Sequence, residues 1–160
     1  MKKKSKKIRT SKPPNRSIGD SLSPEQICAI FTAASSDPSL RTLSNVVRVV
    51  LHSGLQGGIL PTLRISDVDI KNNRLRVDSP KSDDGQRFIP LAPVALEALM
   101  HLHDLNPESE FILGDKANTR ISIVRRSLHR LGEQIGIENL NLHSLRSTFV
   151  STMLSSGTNT

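Results

Sequence analysis

Tyrosine and tryptophan are missing from this 160-residue chain, and its only aromatic residues are four phenylalanines. A domain of this size has enough residues for a real core, which must then be built from aliphatic side chains. No apolar run approaches the roughly 18 residues of a membrane-spanning helix. No apolar segment follows the basic N-terminus, as one does in a secretory signal. We therefore expect a single cytoplasmic domain with no membrane contact.

Cysteine is almost absent as well. Cys28 is the only one, which excludes an intramolecular disulfide and is typical of a reducing compartment. Its neighbours Ile27, Ile30 and Phe31 favour a buried structural thiol over a nucleophile. The sequence also has no glycine-rich phosphate loop and no Cys/His spacing typical of a metal site. We expect no cofactor and no bound metal.

The net charge of +7 is concentrated at the N-terminus. Residues 1–17 hold eight lysines and arginines and no acid, whereas the rest of the chain is close to neutral. A segment so charged and so poor in apolar residues has little to bury, which predicts a disordered tail and linker over residues 1–21. This tail is either an arm that binds phosphates or a solvated terminus without function.

Residues 22–160 alternate between helical and strand-like patterns. Ser23, Pro24 and Gln26 predict a capped helix start, and a second, largely buried helix is expected over 40–55. A short third helix is predicted over 59–64. Short β-type runs flank the Asn72–Asn73 and Asp84–Gly85 turns. These patterns predict an α+β domain that is mainly helical, with a small three-stranded antiparallel sheet over about 67–90.

Two further helices are predicted nearer the C-terminus, and each has an apolar stripe. The helix over 119–135 has one apolar stripe and one basic face, and such a face is either a solvated surface or a phosphate contact. The stripe consists of Ile121, Val124, Leu128, Leu131 and Ile135, and the basic face consists of Arg125, Arg126, His129 and Arg130. In the last helix the predicted apolar stripe is Leu145, Phe149, Val150, Met153 and Leu154.

Four segments occur in an order that resembles the catalytic domain of the tyrosine recombinase (phage integrase) family. They are "SGLQGG", "TLRISDVDI" (62–70), a hairpin with Lys81 followed by "IPL" (89–91), and "HSLRSTF" (143–149). The resemblance covers about residues 22–160. It implies the family's catalytic-domain fold and DNA integration and recombination as the function.

The resemblance also implies roles for individual residues. Family members attack a DNA phosphodiester with a tyrosine hydroxyl, and the transition state carries extra negative charge on its non-bridging oxygens. A guanidinium suits these oxygens because it offers planar, paired donors. By position, Arg146 is the second arginine of the family, His143 is its histidine and Lys81 is the hairpin lysine that protonates the leaving oxygen. The expected additional DNA contacts are Arg64, Arg125, Arg126 and Arg130.

This sequence departs from the family pattern in two ways. Gln56 stands where the first arginine is expected, so an amide replaces a charged phosphate ligand. No tyrosine is present, and the C-terminal tyrosine segment of the family is not recognised. Serine and threonine hydroxyls are poor substitutes without an activating base. We therefore expect that the chain alone neither cleaves nor joins DNA.

Three interpretations remain open from the sequence. The first is a DNA-binding recombinase relative with an incomplete catalytic set, located with DNA at the nucleoid. The second is a regulatory module that binds DNA, a full-length recombinase or another copy of itself. The third is a non-functional remnant of a mobile element.

Overall fold

The computed structural model describes residues 21–78, 83 and 85–157. This part of the chain contains five α-helices and a small antiparallel sheet, which confirms the predicted α+β class. The elements are α1 (Pro24–Ser35), α2 (Arg41–Ser53), β1 (Val68–Asp69), β2 (Arg74–Asp78), β3 (Gln86–Pro90), α3 (Pro93–Asp104), α4 (Ala117–Ile135) and α5 (Leu142–Ser155). The basic tail and Lys81 lie outside the described residues.

Helix α1 begins as its sequence predicts. The Ser23 hydroxyl accepts a hydrogen bond from the Gln26 backbone N–H (3.1 Å), and the Gln26 side chain accepts one from the Ser23 N–H (2.9 Å). The helix buries Ile30 and Ala34. Cys28, however, is exposed, so the expected buried thiol is wrong. At 100° per residue, position 28 lies well away from the face that carries Ile30 and Ala34.

Helix α2 is the central element of the domain. It packs against α1, α3, α4 and α5, and most of its residues are buried. It ends at Gly54, which adopts a left-handed conformation (φ 68°) and donates its N–H to the Val50 carbonyl at 2.9 Å. Glycine is the usual residue at this position because it has no β-carbon to clash.

The segment after α2 is more irregular than predicted. Two 3-10 turns, Leu60–Thr62 and Ile65–Asp67, replace a regular third helix over 59–64. The sheet then follows in the predicted region with strand order β1-β2-β3. Leu75 pairs with Ile89 and Val77 with Arg87, so one face of β2 points into the core.

The core is aliphatic, as the composition predicts. No phenylalanine is among the buried core residues of the described chain, and Phe88 is 46% exposed. The largest fully buried side chains are Ile30, Leu55, Leu60, Leu63, Leu75, Leu99, Leu102, Ile112, Leu113, Leu128, Leu140 and Leu145. No helix in the described residues is both long enough and apolar enough to cross a membrane.

Helix α5 does not bury the stripe predicted for it. Leu145 is buried and Phe149 is half-buried, but Val150 is 39% and Leu154 is 74% exposed. Polar residues occupy most of the buried face instead, namely Ser144, Ser147 and Thr148. The Thr148 hydroxyl avoids a desolvation penalty because it donates to the Ser144 carbonyl at 2.7 Å.

The first described residues are attached to this same helix. The Leu22 N–H donates to the Thr148 hydroxyl at 2.8 Å, and the Ser21 hydroxyl donates to the Ser147 carbonyl at 3.5 Å. The chain therefore enters the domain directly over α5.

Candidate functional site

The start of α5 carries His143 and Arg146, the two predicted catalytic residues that lie in the described part of the chain. Asn141 caps the helix: its side-chain oxygen accepts the Ser144 N–H at 2.9 Å, and the Ser144 hydroxyl accepts the Asn141 N–H at 3.0 Å. This reciprocal cap places His143 and Arg146 in the first two turns, three residues apart and hence on one side of the helix. His143 is exposed and Arg146 is half-buried.

The loop that follows α2 lies against this end of α5. A β-carbon on Gly57 would be 2.7 Å from Cδ1 of Leu142, the residue before His143. A β-carbon on Gly54 would collide with the ring of Phe149. These two contacts bracket Gln56, whose side chain is exposed. The structure thus brings the Gln56 loop beside the helix that carries His143 and Arg146.

Helix α4 has the amphipathic arrangement that its sequence predicts. Ile121, Val124, Leu128 and Leu131 are buried, and Ile135 is partly buried. The opposite face, formed by Arg125, Arg126, His129 and Arg130, is exposed.

The three arginines on that face form no ion pair with the described residues, although Glu133 lines the same surface depression. His129 pairs with Glu133 (Nε2 to Oε1, 3.4 Å). No ion pair joins Arg125, Arg126, Arg130 or Arg146 to a carboxylate of the described residues. Their guanidinium groups are therefore not engaged in an internal ion pair and are available to bind an anion.

Arg64 belongs to a different cluster. Its Nη1 atom lies 3.2 Å from Oε2 of Glu110, and its guanidinium lies 5.1 Å from the centre of the Phe111 ring. The ion pair is solvent-exposed on both sides, so solvent screens it strongly. A phosphate contact by Arg64 has to compete with this internal carboxylate.

Asp67 is a structural residue that sequence reasoning did not single out. One of its oxygens accepts the Arg64 N–H at 3.0 Å. The other accepts Nε and Nη2 of Arg76 at 3.2 and 2.9 Å. The carboxylate thereby joins the turn before β1 to strand β2. Its spacing of three residues from Arg64 in "RISD" is the only local signal for this role. The contact with Arg76, nine positions further on, depends on the pairing of β1 with β2.

His52 lies in the last turn of α2, two residues before Gly54. Partial desolvation and the positive charge of Arg48 lower the pKa of His52 below its usual 6.5. No group of three or more histidine, cysteine, aspartate or glutamate side chains in the described residues is arranged to hold a metal ion.

The described residues thus form a mainly helical domain with a three-stranded antiparallel sheet, in which the start of α5 lies beside the loop that contains Gln56. The solved structure of XerA recombinase superposes with a TM-score of 0.69 at 26% identity, covering 94% of this chain and 54% of that one. The Tn1549 transposon integrase, solved in complex with transposon right end DNA, matches with a TM-score of 0.73 at 17% identity, which shows the fold alone. That match covers 91% of this chain and 56% of the other.

The chain belongs to the phage integrase family, whose model matches residues 20–160. A probable integrase/recombinase of Acholeplasma phage L2 is 28% identical over 152 residues, covering 93% of this chain and 52% of the relative. Tyrosine recombinase XerA of Saccharolobus solfataricus is 29% identical over 119 residues, covering 71% of this chain and 37% of the relative. The chain therefore spans about half or less of the length of these relatives.

Proposed function

We propose that this chain binds the sugar-phosphate backbone of DNA, as part of DNA integration and site-specific recombination. One observation carries the proposal: the Gln56 loop contacts the start of α5, where Arg146 has no carboxylate partner among the described residues. Family membership and relatives named integrases and recombinases support it. Several structural neighbours are DNA complexes, including a lambda integrase dimer on a core site.

The proposed roles follow from the charge that develops on a phosphodiester under attack. Arg146 provides paired N–H donors for two phosphate oxygens, and its half-buried position strengthens each hydrogen bond. His143 donates a further hydrogen bond from the adjacent turn or transfers a proton. Lys81 is proposed to protonate the oxygen that leaves.

The 160 residues are not expected to cleave DNA by themselves. They contain no tyrosine, and the neutral Gln56 amide provides less stabilisation of the transition-state charge than a guanidinium does. An assay for covalent protein–DNA adducts on suicide substrates should detect none. A stable adduct formed by the purified chain would contradict this.

Phosphate contacts outside the site are assigned to Arg126 and Arg130 on α4, to Arg64 and to the basic tail. Because DNA is the proposed partner, we propose a location in the cytoplasm at the nucleoid. Association with a second copy or with a full-length recombinase is a further part of the proposal, consistent with the lambda integrase neighbours, which are a dimer and a tetramer on DNA.

Duplex binding over a series of salt concentrations tests the proposal. The log of the binding constant should fall linearly with the log of the salt concentration. Arg146→Ala should lower the affinity and reduce this slope by about one contact, or roughly 0.9. Arg41→Ala is the charge-matched control, because Arg41 is exposed at the far end of α2, about 20 Å along the helix from Gly54.

Deletion of residues 1–17 separates the contribution of the domain to DNA binding from that of the tail. If the deleted chain still binds duplex and still responds to Arg146→Ala, the site itself holds phosphate. Loss of all binding with the tail, or equal effects of Arg146→Ala and Arg41→Ala, would contradict the proposed function.

A further inference from the structure

Gly57 lies where the loop after α2 meets helices α4 and α5. A β-carbon at this position would lie 2.7 Å from Cδ1 of Leu142 on α5 and 3.5 Å from Nη2 of Arg125 on α4. The guanidinium of Arg125 therefore reaches the loop in which Gln56 replaces the expected arginine. Arg125 is separated from Gln56 by 69 positions in the sequence, so only the fold brings the two together.

We propose that Arg125 provides, from α4, the guanidinium that position 56 lacks, and that it binds the same phosphate as Arg146. This inference rests on the proposed function, because it names a second phosphate ligand of that site. It separates Arg125 from Arg126 and Arg130, which bind DNA outside the site.

The charge of Arg125 is available for this role. Its side chain is exposed, and no carboxylate of the described residues pairs with it. Because no internal ion pair engages it, the guanidinium can turn its donors and charge towards a phosphate that enters beside the loop.

The position of Arg125 also suits the electrostatics of α5. The first turn of that helix contains no acidic residue, and its N-terminus favours anions. A phosphate beside Leu142 would experience the helix N-terminus, Arg146 and Arg125 together. The absence of a side chain at Gly57 lets Leu142 and the tip of Arg125 lie this close to the loop.

A double-mutant cycle between positions 56 and 125 tests the inference. Duplex affinity is measured by fluorescence anisotropy at one salt concentration for the wild type, Arg125→Ala, Gln56→Arg and the double variant. Arg125→Ala should weaken binding by about tenfold or more, the effect of losing a charge-assisted hydrogen bond. Gln56→Arg should restore most of the loss, yet should add little when Arg125 is present.

The matched control is the same cycle with Arg126→Ala. This substitution removes a neighbouring cation from the same helix, so it should also weaken binding. Gln56→Arg should then raise the affinity only by the factor seen in the wild type. The contrary result is that Gln56→Arg raises the affinity by the same factor in the wild type, in Arg125→Ala and in Arg126→Ala. In that case Arg125 is an ordinary surface cation and the inference is wrong.

The outcomes separate the inference from the proposed function. Binding that is insensitive to salt and to Arg146→Ala overturns the function itself. Binding that responds to Arg146→Ala, together with an additive 56–125 cycle, overturns only the role of Arg125. Arg125→Lys covers the case in which the alanine variant does not fold. It keeps the charge but lacks the paired donors, so it should bind more weakly than wild type and be restored by Gln56→Arg.

Discussion

The ring of Phe149 occupies the space in which a β-carbon on Gly54 would lie. Gly54 ends α2, and Phe149 lies in the middle of α5, so this contact sets how closely the two helices approach. The absence of one methyl group therefore positions the loop with Gln56 against the helix with His143 and Arg146.

Gly54→Ala should accordingly destabilise the protein more than the same change at Gly136. Both glycines end a helix in the left-handed conformation, with φ values of 68° and 76°. Gly136→Ala meets no atom within 4 Å, so it should cost only the conformational strain of about 1–2 kcal/mol. Gly54→Ala adds overpacking against Phe149, which contributes about 1–3 kcal/mol more. Urea denaturation measures both, and equal losses would contradict the contact.

Gly57→Ala should weaken duplex binding, whereas Gly58→Ala should leave it unchanged. The added methyl at position 57 would lie 2.7 Å from Cδ1 and 3.3 Å from Cβ of Leu142, so this side chain in the first turn of α5 has to shift. The methyl at position 58 meets nothing within 4 Å. Fluorescence anisotropy with the same duplex compares the two variants. Weaker binding by Gly58→Ala of the same size would mean that loop stiffness, and not the contact with Leu142, is responsible.

Asp67→Asn should destabilise the fold by about 1–2 kcal/mol, because an uncharged amide weakens the charge-assisted bonds from Arg76. The Asp67 side chain is only 16% exposed. Glu110→Gln is the matched control at a more exposed ion pair, and its effect should stay within about 0.5 kcal/mol. Denaturant midpoints give both values. A larger effect at Glu110 would reverse the assigned importance of the two carboxylates.

The lowered pKa of His52 predicts a specific dependence of stability on pH. Below its usual pKa of 6.5 the unfolded chain takes up a proton that the folded state resists. Stability should therefore fall as the pH drops through this range, and His52→Gln should lose less stability than wild type. Thermal unfolding of both proteins at pH 7.5 and 5.5, each about one unit from 6.5, tests this. Parallel losses would assign the pH dependence to other groups.

Local signals in the sequence predicted much of the fold. The Ser23–Gln26 cap, the buried stripe of α4 and the three-stranded sheet all follow from short-range patterns, and the structure contains them. The exposure of Cys28 and Leu154 did not follow. Burial along α1 and α5 depends on which elements pack against each face, and apolar neighbours in the sequence do not determine that.

The candidate site could likewise be predicted only in part from the sequence. His143, Arg146 and Gln56 could be identified from motif order, and the structure places the helix and the loop that carry them side by side. The approach of Arg125 to Gly57 and the pairing of Arg64 with Glu110 required the tertiary structure. Each joins residues far apart in the chain, and no spacing rule connects them.

The hydrogen bond from Leu22 to Thr148 ties the base of the N-terminal segment to α5. The hydrogen bond from the Ser21 hydroxyl to the Ser147 carbonyl adds a second attachment, so the described chain begins against the helix of Arg146. In the proposed function, DNA bound by the cationic segment would be held at a high effective concentration beside this helix, as by a short tether. The proposed contacts of the segment and of Arg146 would then act together, as in a bivalent ligand. A short connection of this kind gives avidity without any additional interface.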